Sequence, residues 1–337
     1  MLQLPADLDL CDLHVHVGGA VAPHILWSIA HEHGFKLPVK SYWDFVRLIT
    51  ADPERISSLD DFVDIMHRWT ERIQSSPSAI ERSVYEIIGK EYRSSRVTTI
   101  ELRFNPMKRN LGGERDLDYI IHAALRGMER ACLEYGCRAG LIFCLAREFD
   151  YDLNEIIVRK AIRWMHRGVV GIDLAGPERH TVELSSEVTR YRDLFERARH
   201  AGLGTTVHTG ETSHTDARGV LAVLSELRPQ RIGHGIAAHK SEEAMARLVE
   251  DGVVLEICPS SNLRTRSVAD LQELGRILAI FRERGVRYTI NTDGPYILDT
   301  NLRREFNLLL AAGVLRLDEA LRCVETAHAA SFIREGR

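Results

Sequence analysis

The sequence has little that would bind it to a charged polymer or a membrane. Its 337 residues carry 44 Lys and Arg against 48 Asp and Glu, a net charge of -4, and the basic residues form no tract. We therefore expect no nucleic-acid partner. No apolar run approaches the roughly 18–20 residues of a membrane span, and the N-terminal stretch lacks the regions of a secretory signal. These absences predict a cytoplasmic protein without a membrane partner.

The sequence also lacks a disulfide framework and an interdomain linker. None of its six cysteines forms a C-x-x-C pair, and most lie in apolar runs, so we expect reduced thiols in the core. No low-complexity tract and no stretch rich in Pro or Gly divides the chain. We therefore predict a single domain over residues 1–337, although the length alone would also allow two.

What the sequence does have is eight short, mostly apolar runs bounded by polar or Gly residues, which are typical of buried parallel strands. They are Leu8–His16, Val97–Phe104, Ala139–Leu145, Val169–Leu174, Gly204–His208, Arg231–His234, Val253–Ile257 and Val286–Asn291. Segments with helical periodicity, such as Asp118–Tyr135, lie between them. This alternation predicts an α/β fold of the (β/α)8 TIM-barrel type.

The connection between the first two strands is much longer than the others. Helical patterns fill it, and long connections are usually functional or structured insertions. We predict a helical lid, inserted at about residues 20–95, over the mouth of the barrel. Its large apolar residues are expected to form core, and some of them to line a pocket: Trp27, Tyr42, Trp43, Phe45, Phe62, Met66 and Trp69.

Candidate metal ligands stand at the C-terminal ends of the predicted strands, where barrel enzymes place their active sites. The first strand ends in His14 and His16, whose side chains point to the same side of the strand. His208 ends the fifth strand. Asp293 follows the eighth strand, which neighbours the first in a closed barrel. Three imidazoles and one carboxylate suit zinc, so the sequence predicts one Zn²⁺ per chain.

Each of these residues also has an ordinary structural explanation. An H-x-H pair alone is weak evidence, and His208 could be a hydrogen-bonding residue at a strand end. Asp293 could cap a helix that begins near Pro295. However, two histidines side by side in an apolar interior would be costly to bury. Four candidates at strand-end positions favour a metal site.

Glu211 and His234 are the candidate acid–base groups. Glu211 follows His208 by three residues, and His234 ends the sixth strand between two glycines. Beside a metal-activated water, His234 could orient that water or accept its proton, and Glu211 could protonate a ring nitrogen. The alternatives are a solvated loop carboxylate and a structural histidine.

Several motifs of this sequence resemble those of the adenosine deaminase family, in order along the chain. They are His14-Val15-His16-Val17-Gly18-Gly19-Ala20, Ile172-Asp173-Leu174-Ala175-Gly176-Pro177-Glu178, His208-Thr209-Gly210-Glu211, Arg231-Ile232-Gly233-His234-Gly235, Cys258-Pro259-Ser260-Ser261-Asn262 and Asn291-Thr292-Asp293. The resemblance runs from about Leu8 to the C-terminus and is weaker across the inserted lid.

The resemblance implies a zinc-dependent deaminase that converts a purine nucleoside to its 6-oxopurine and ammonia. It implies zinc ligation by the three histidines and Asp293, proton donation to purine N1 by Glu211, and placement of the attacking hydroxide by His234. It further implies that the Gly176 backbone contacts purine N3. No lysine ends the fourth strand, where binuclear relatives carry a bridging group, and this favours a single metal.

Two glycines depart from the family pattern at substrate-binding positions. Gly18 replaces an aspartate that binds the ribose 5′-hydroxyl, and Gly294 replaces one that hydrogen-bonds purine N7. Losing such contacts changes substrate discrimination. We expect Gly18 to leave room for a 5′-modified adenine nucleoside. Adenosine, aminodeoxyfutalosine of menaquinone biosynthesis and adenine are the candidate substrates.

Two other functional classes compete with deamination. The same metal site could hydrolyse an amide or ester, although an acid placed three residues after His208 suits ring protonation better. The barrel could also be a non-catalytic binding protein, but Glu211 and His234 are retained.

Overall fold

Eight parallel strands run in sequence order around the molecule in the computed structural model, which describes residues 3–51, 58–111, 116–176, 178 and 187–334. The strands are β1 Leu10–His16, β2 Val97–Phe104, β3 Arg138–Ala146, β4 Val169–Ala175, β5 Gly204–Thr209, β6 Arg231–His234, β7 Val254–Ile257 and β8 Arg287–Ile290. All eight predicted strands are present, each within two residues of its predicted bounds. The predicted (β/α)8 TIM barrel is confirmed.

The barrel closes where the segment after β8 returns to β1. Val15 forms a parallel bridge with Asp293. The His16 amide donates to the Asp293 carbonyl (2.7 Å), and the Asp293 amide donates to the His14 carbonyl (2.8 Å). The closing hydrogen bonds therefore belong to residues that were predicted as metal ligands.

Helices cover the outside of the barrel. Those after the insertion are α7 Asp118–Tyr135, α8 Tyr151–Trp164, α9 Glu187–Ala201, α10 Asp216–Glu226, α11 Glu242–Glu250, α12 Pro259–Arg264, α13 Leu271–Arg284, α14 Leu302–Ala311 and α15 Leu317–Ala330. Their apolar faces join the outer strand faces in one continuous core. Among the described residues, no helix is both long and apolar enough to cross a bilayer.

The segment between β1 and β2 is helical, as predicted. Its first helix, α1 Val17–Ala20, continues directly from β1 at the end of the barrel. The remainder, which we call the insertion, contains α2 Pro23–Glu32, α3 Tyr42–Ile49, α4 Leu59–Ile65, α5 Glu71–Ile73 and α6 Pro77–Ser95, with a π-helical turn at Met66–Thr70. Of its large apolar residues, Phe62 and Met66 line the central pocket. Phe45 is buried in the core, whereas Trp43 is 69% exposed.

The six cysteines are free thiols, and five of them are buried. The prediction of reduced core cysteines agrees with this arrangement.

Candidate metal and active site

The three predicted histidine ligands converge at the C-terminal end of the barrel. His208 Nε2 lies 3.1 Å from Nε2 of His14 and 3.1 Å from Nε2 of His16. Burial lowers the pKa of both His16 and His208. Burial also acts to lower the pKa of His14, but Asp293 and Glu256 outweigh it and raise that pKa. An imidazole nitrogen without a proton carries a lone pair that can bind a metal, so the three Nε2 atoms are suitable donors.

Asp293 completes the predicted set. Its Oδ1 lies 3.6 Å from His14 Nε2 and 3.5 Å from His16 Nε2, while its Oδ2 accepts a hydrogen bond from the Ser261 hydroxyl (2.6 Å). A turn follows Asp293, and the next helix begins at Leu302, so Asp293 caps no helix there. The alternative explanation, that Asp293 caps a helix, is therefore wrong. One of its carboxylate oxygens instead faces the histidines.

Two deeper carboxylates hold the histidine rings. Glu256 on β7 lies 2.8 Å from Nδ1 of His14, and Asp173 on β4 lies 2.9 Å from Nδ1 of His208. The guanidinium of Arg103 donates to both carboxylates, at 2.8 and 3.1 Å respectively. Such partners fix the ring orientation and direct Nε2 toward a metal.

Glu211 lies beside this centre and is 4% exposed. The Thr265 hydroxyl donates to its carboxylate (3.1 Å), and its backbone amide donates to Glu178 (3.2 Å). Burial raises the pKa of Glu211 well above its usual range, and the charges of Glu178 and Asp293 raise it further. This direction of shift favours the protonated carboxyl, the form that a general acid requires.

His234 faces Glu211 across the pocket, with 3.5 Å between His234 Nε2 and Glu211 Oε2. Its Nδ1 is hydrogen-bonded to the side-chain amide of Asn262 (3.1 Å), which holds the ring. Burial lowers the pKa of His234 well below its usual range. Because the Asn262 amide nitrogen donates to Nδ1, the neutral ring carries its proton on Nε2 and can orient a water molecule in the pocket.

His234 and Asp293 both have left-handed backbone conformations, with φ of 59° and 64°. Residues other than glycine seldom adopt this region, and such strain is concentrated at active sites. The backbone thus aims both side chains into the pocket at some conformational cost.

The pocket in front of these residues contains about 740 Å³ of empty space, including its opening to solvent. The barrel contributes Gly18 and Gly176 among other residues. The insertion contributes the opposite wall, made of Leu59, Phe62, Val63, Met66, His67 and Glu71. This wall puts apolar surface and one carboxylate opposite the histidine centre.

The three glycines predicted to bind substrate differ in their surroundings. Gly176 has φ of 104°, which favours glycine, and it lines the pocket. A Cβ at Gly18 would lie 3.1 Å from Glu71 Cγ, and a Cβ at Gly294 would lie 3.2 Å from Phe62 Cζ. The room expected at Gly18 is therefore not open, because the insertion fills it with Glu71.

A second group of potential ligands lies next to the first. His14, His234 and Cys258 place one donor atom each within 4.8 Å of one another. However, burial raises the pKa of the Cys258 thiol well above its usual range. Because a thiolate is the form that binds metals, the neutral thiol makes the histidine–aspartate group the better donor set.

Several residues of the site were not predicted from the sequence. Arg103, Asp173 and Glu256 support the histidines, and Asn262 holds His234. For the three charged residues, the sequence offers one local indication of a role, namely a charged residue inside a short apolar strand, as in Ile172-Asp173-Leu174. Burying such a charge requires a partner, and the partner lies in another strand.

Comparison with known proteins places these features in a family. The adenosine deaminase family model matches residues 9–337. Adenosine deaminase of Enterococcus faecalis is 30% identical over 327 residues, covering 97% of this chain and 93% of that protein. Aminodeoxyfutalosine deaminase of Acidothermus cellulolyticus is 33% identical over 310 residues, covering 90% and 82%.

A solved structure shares the fold. The amidohydrolase from Burkholderia ambifaria, determined with bound Zn, has a TM-score of 0.81 at 20% identity and covers 97% of this chain and 86% of that one. Because the family model extends over almost the whole sequence, including the strand ends that carry the histidines, the chain belongs to the adenosine deaminase family.

Proposed function

We propose that the chain binds one zinc ion through His14, His16, His208 and Asp293 and deaminates an adenine nucleoside at C6. Water replaces the amino group, so the products are a 6-oxopurine nucleoside and ammonia. The observation that carries this proposal is the convergence of three imidazoles beside a buried acid: Nε2 of His14 and Nε2 of His16 each lie 3.1 Å from Nε2 of His208.

The donor set fits zinc and the family is metal-dependent. Neutral imidazole nitrogens with one carboxylate oxygen are ligands that zinc prefers. When bound, zinc lowers the pKa of water toward neutrality. The buried carboxylates behind His14 and His208 keep both rings in the tautomer whose Nε2 lone pair faces the site.

Glu211 supplies the proton that the purine ring needs. As the water oxygen bonds to C6, the C6–N1 double bond shifts its electron pair to N1, which takes the proton of the Glu211 carboxyl. The raised pKa of Glu211 keeps this proton available at neutral pH.

His234 orients the attacking water. The Asn262 amide donates to its Nδ1, so the neutral ring carries its proton on Nε2, which lies 3.5 Å from Glu211 Oε2. One proton that the water loses replaces the one that Glu211 gave to N1. The amino group then leaves C6 as ammonia after taking up a proton, and the 6-oxo group forms.

The deciding experiment measures metal content, ammonia release and loss of adenine absorbance on the purified protein. The panel is adenosine, 5′-deoxy-5′-methylthioadenosine, aminodeoxyfutalosine and adenine. We expect about one zinc per chain and one ammonia per 6-oxopurine formed. A zinc-loaded protein that releases ammonia from none of them, yet cleaves amide or ester substrates, would contradict deamination.

A second candidate is a nucleoside that carries an extended, anionic 5′-substituent. The 33% identity to an aminodeoxyfutalosine deaminase favours it, and so does Lys108, a basic residue that lines the pocket and pairs with Glu148. The same panel separates the candidates. A kcat/KM higher for aminodeoxyfutalosine than for adenosine supports the extended substrate, and the reverse order rejects it.

A further inference from the structure

Glu71 occupies the space that an aspartate side chain would need at position 18. An ideal Cβ on Gly18 would lie 3.1 Å from Glu71 Cγ and 3.2 Å from Glu71 Oε1. Both residues line the pocket. Gly18 lies in α1, directly after β1, whereas Glu71 belongs to α5 of the insertion. A carboxylate is thus present beside Gly18, although it arrives from a different part of the chain.

The carboxylate of Glu71 is charged and held in place. Its Oε1 lies 2.9 Å from Nη1 of Arg109, whose side chain is fully buried, while the Glu71 side chain is 14% exposed. Burial acts to raise the pKa of Glu71, but Arg109, His67 and Lys108 outweigh it and lower that pKa. The group is therefore an acceptor only.

Arg109 has hydrogen-bonding capacity to spare. Its Nε and Nη2 atoms are buried and make no hydrogen bond to any residue that the structure describes. The Nη2 atom also lies 3.4 Å from the ideal Cβ position of Gly18. A carboxylate placed at position 18 would consequently also lie beside this guanidinium.

Asn105 offers a donor in the same pocket. Its Oδ1 accepts from the backbone amides of Met107 and Lys108, which leaves its Nδ2 without a partner among the described residues. Asn105 is 5% exposed and lines the pocket. Buried polar groups are normally hydrogen-bonded, so an unpaired donor in the wall of this pocket indicates that a polar ligand supplies the missing bond.

We propose that Glu71 accepts a hydrogen bond from the sugar 5′-hydroxyl of the nucleoside, so that the insertion supplies the acid that the barrel lacks at Gly18. This inference rests on the proposed deamination of a nucleoside. It makes Glu71 a specificity-determining residue and defines the favoured sugar as one with a free hydroxyl beside Gly18. Proton transfer and metal binding do not depend on Glu71.

The test compares adenosine with 5′-deoxyadenosine, which differs only by the hydroxyl. A hydrogen bond to a charged group favours adenosine in kcat/KM by roughly 10- to 100-fold. Glu71→Gln should reduce this ratio to a few-fold, through slower adenosine turnover at low concentration and little change for 5′-deoxyadenosine. Glu32→Gln, which changes an exposed acid of α2 that pairs with Arg82, should keep the full ratio.

A second experiment moves the carboxylate from position 71 to position 18, and it separates loss of the hydrogen bond from misfolding of the variant. Glu71→Ala alone leaves Arg109 buried without its counter-charge, whereas G18D/E71A returns a carboxylate to the same place from the barrel side. We expect the double variant to recover a preference for adenosine of at least about tenfold over Glu71→Ala.

Three results would overturn the inference: a wild-type ratio near one, equal losses for both nucleosides in Glu71→Gln, or no recovery in the swap. Absence of ammonia release from every compound of the panel, with the zinc-loaded wild type, would instead refute the proposed deamination itself. The two failures are therefore distinguishable.

Discussion

His208 owes its orientation to a single buried carboxylate. Asp173 approaches Nδ1 of His208 at 2.9 Å, and neither residue is accessible enough for water to replace this contact. The ring cannot turn without breaking that bond. The proposed role of His208 as a metal ligand would therefore depend on a residue that does not itself bind the metal.

Asp173→Asn should weaken zinc binding by about 10- to 100-fold, because the amide is a poorer acceptor for the ring N–H. Competition against a chelator of known affinity measures this change. Excess zinc should restore most of the activity of the variant. Asp118→Asn, which changes a hydrogen-bonded acid on α7, should bind zinc like the wild type, and equal affinities for both variants would contradict the role of Asp173.

Glu211→Gln should lower kcat by about 10²- to 10⁴-fold, because glutamine has no acidic proton to give to the ring. Burial raises the pKa of Glu211, so the wild type keeps its activity through neutral pH and loses it as pH rises through that pKa. The variant should lack this alkaline decrease. A pH–rate profile identical in shape to that of the wild type would show that another group is the acid.

Local sequence revealed the histidines and Asp293 because each stands at a strand end with a distinctive spacing. Arg103 could not be assigned a role in the same way. It pairs with carboxylates 70 and 153 residues further along the chain, and only the closed barrel brings them together. Single-sequence reasoning shows a buried charge there but not its partner.

At the scale of elements, helix α4 of the insertion packs against the barrel at Gly294. Phe62 of α4 covers Gly294, and the ideal Cβ of Gly294 would lie 3.2 Å from the Phe62 ring and 3.5 Å from Gly19 Cα. The absence of a side chain at position 294 therefore sets how closely the insertion approaches β8.

Gly294→Ala should destabilise the protein by about 1–3 kcal/mol, because the added methyl crowds Phe62. Urea unfolding measures the change, and Phe62→Leu in the same background should recover part of it. Gly275→Ala is the matched control. Its Cβ would approach only Val314, at 3.4 Å, so this helical substitution should be neutral or stabilising. Equal stabilities for Gly294→Ala and the wild type would contradict the tight contact.

The strands were predicted closely because an apolar run bounded by polar residues is a local pattern. The helices of the insertion were also predicted, since their periodicity is local. The contacts of Glu71 with Gly18 and of Phe62 with Gly294 were not, because they depend on how the insertion docks on the barrel. The expectation of open space at Gly18 failed for this reason.

At the scale of the whole molecule, metal binding and folding should be coupled. The proposed zinc ligands come from β1, β5 and the segment after β8. An ion that binds only the folded chain stabilises it by roughly 2.7 kcal/mol at 100 times its Kd.

Removing the metal with a chelator should abolish deamination and lower Tm by several degrees. Calorimetry with and without the chelator measures the shift. Zinc should restore both activity and Tm, whereas magnesium should not, because it prefers oxygen ligands. A chelated, metal-free protein that melts at the same temperature would contradict this coupling.

The closing bridge between Val15 and Asp293 has a mechanical consequence. Few backbone hydrogen bonds close the barrel between β1 and the segment after β8, so we expect this closure to be its weakest contact between neighbouring strands. His14 and His16 lie on one side of the closure and Asp293 lies on the other. An ion bound by all three would therefore link the two sides. A cut in the chain far from this closure should then be tolerated better than one beside it.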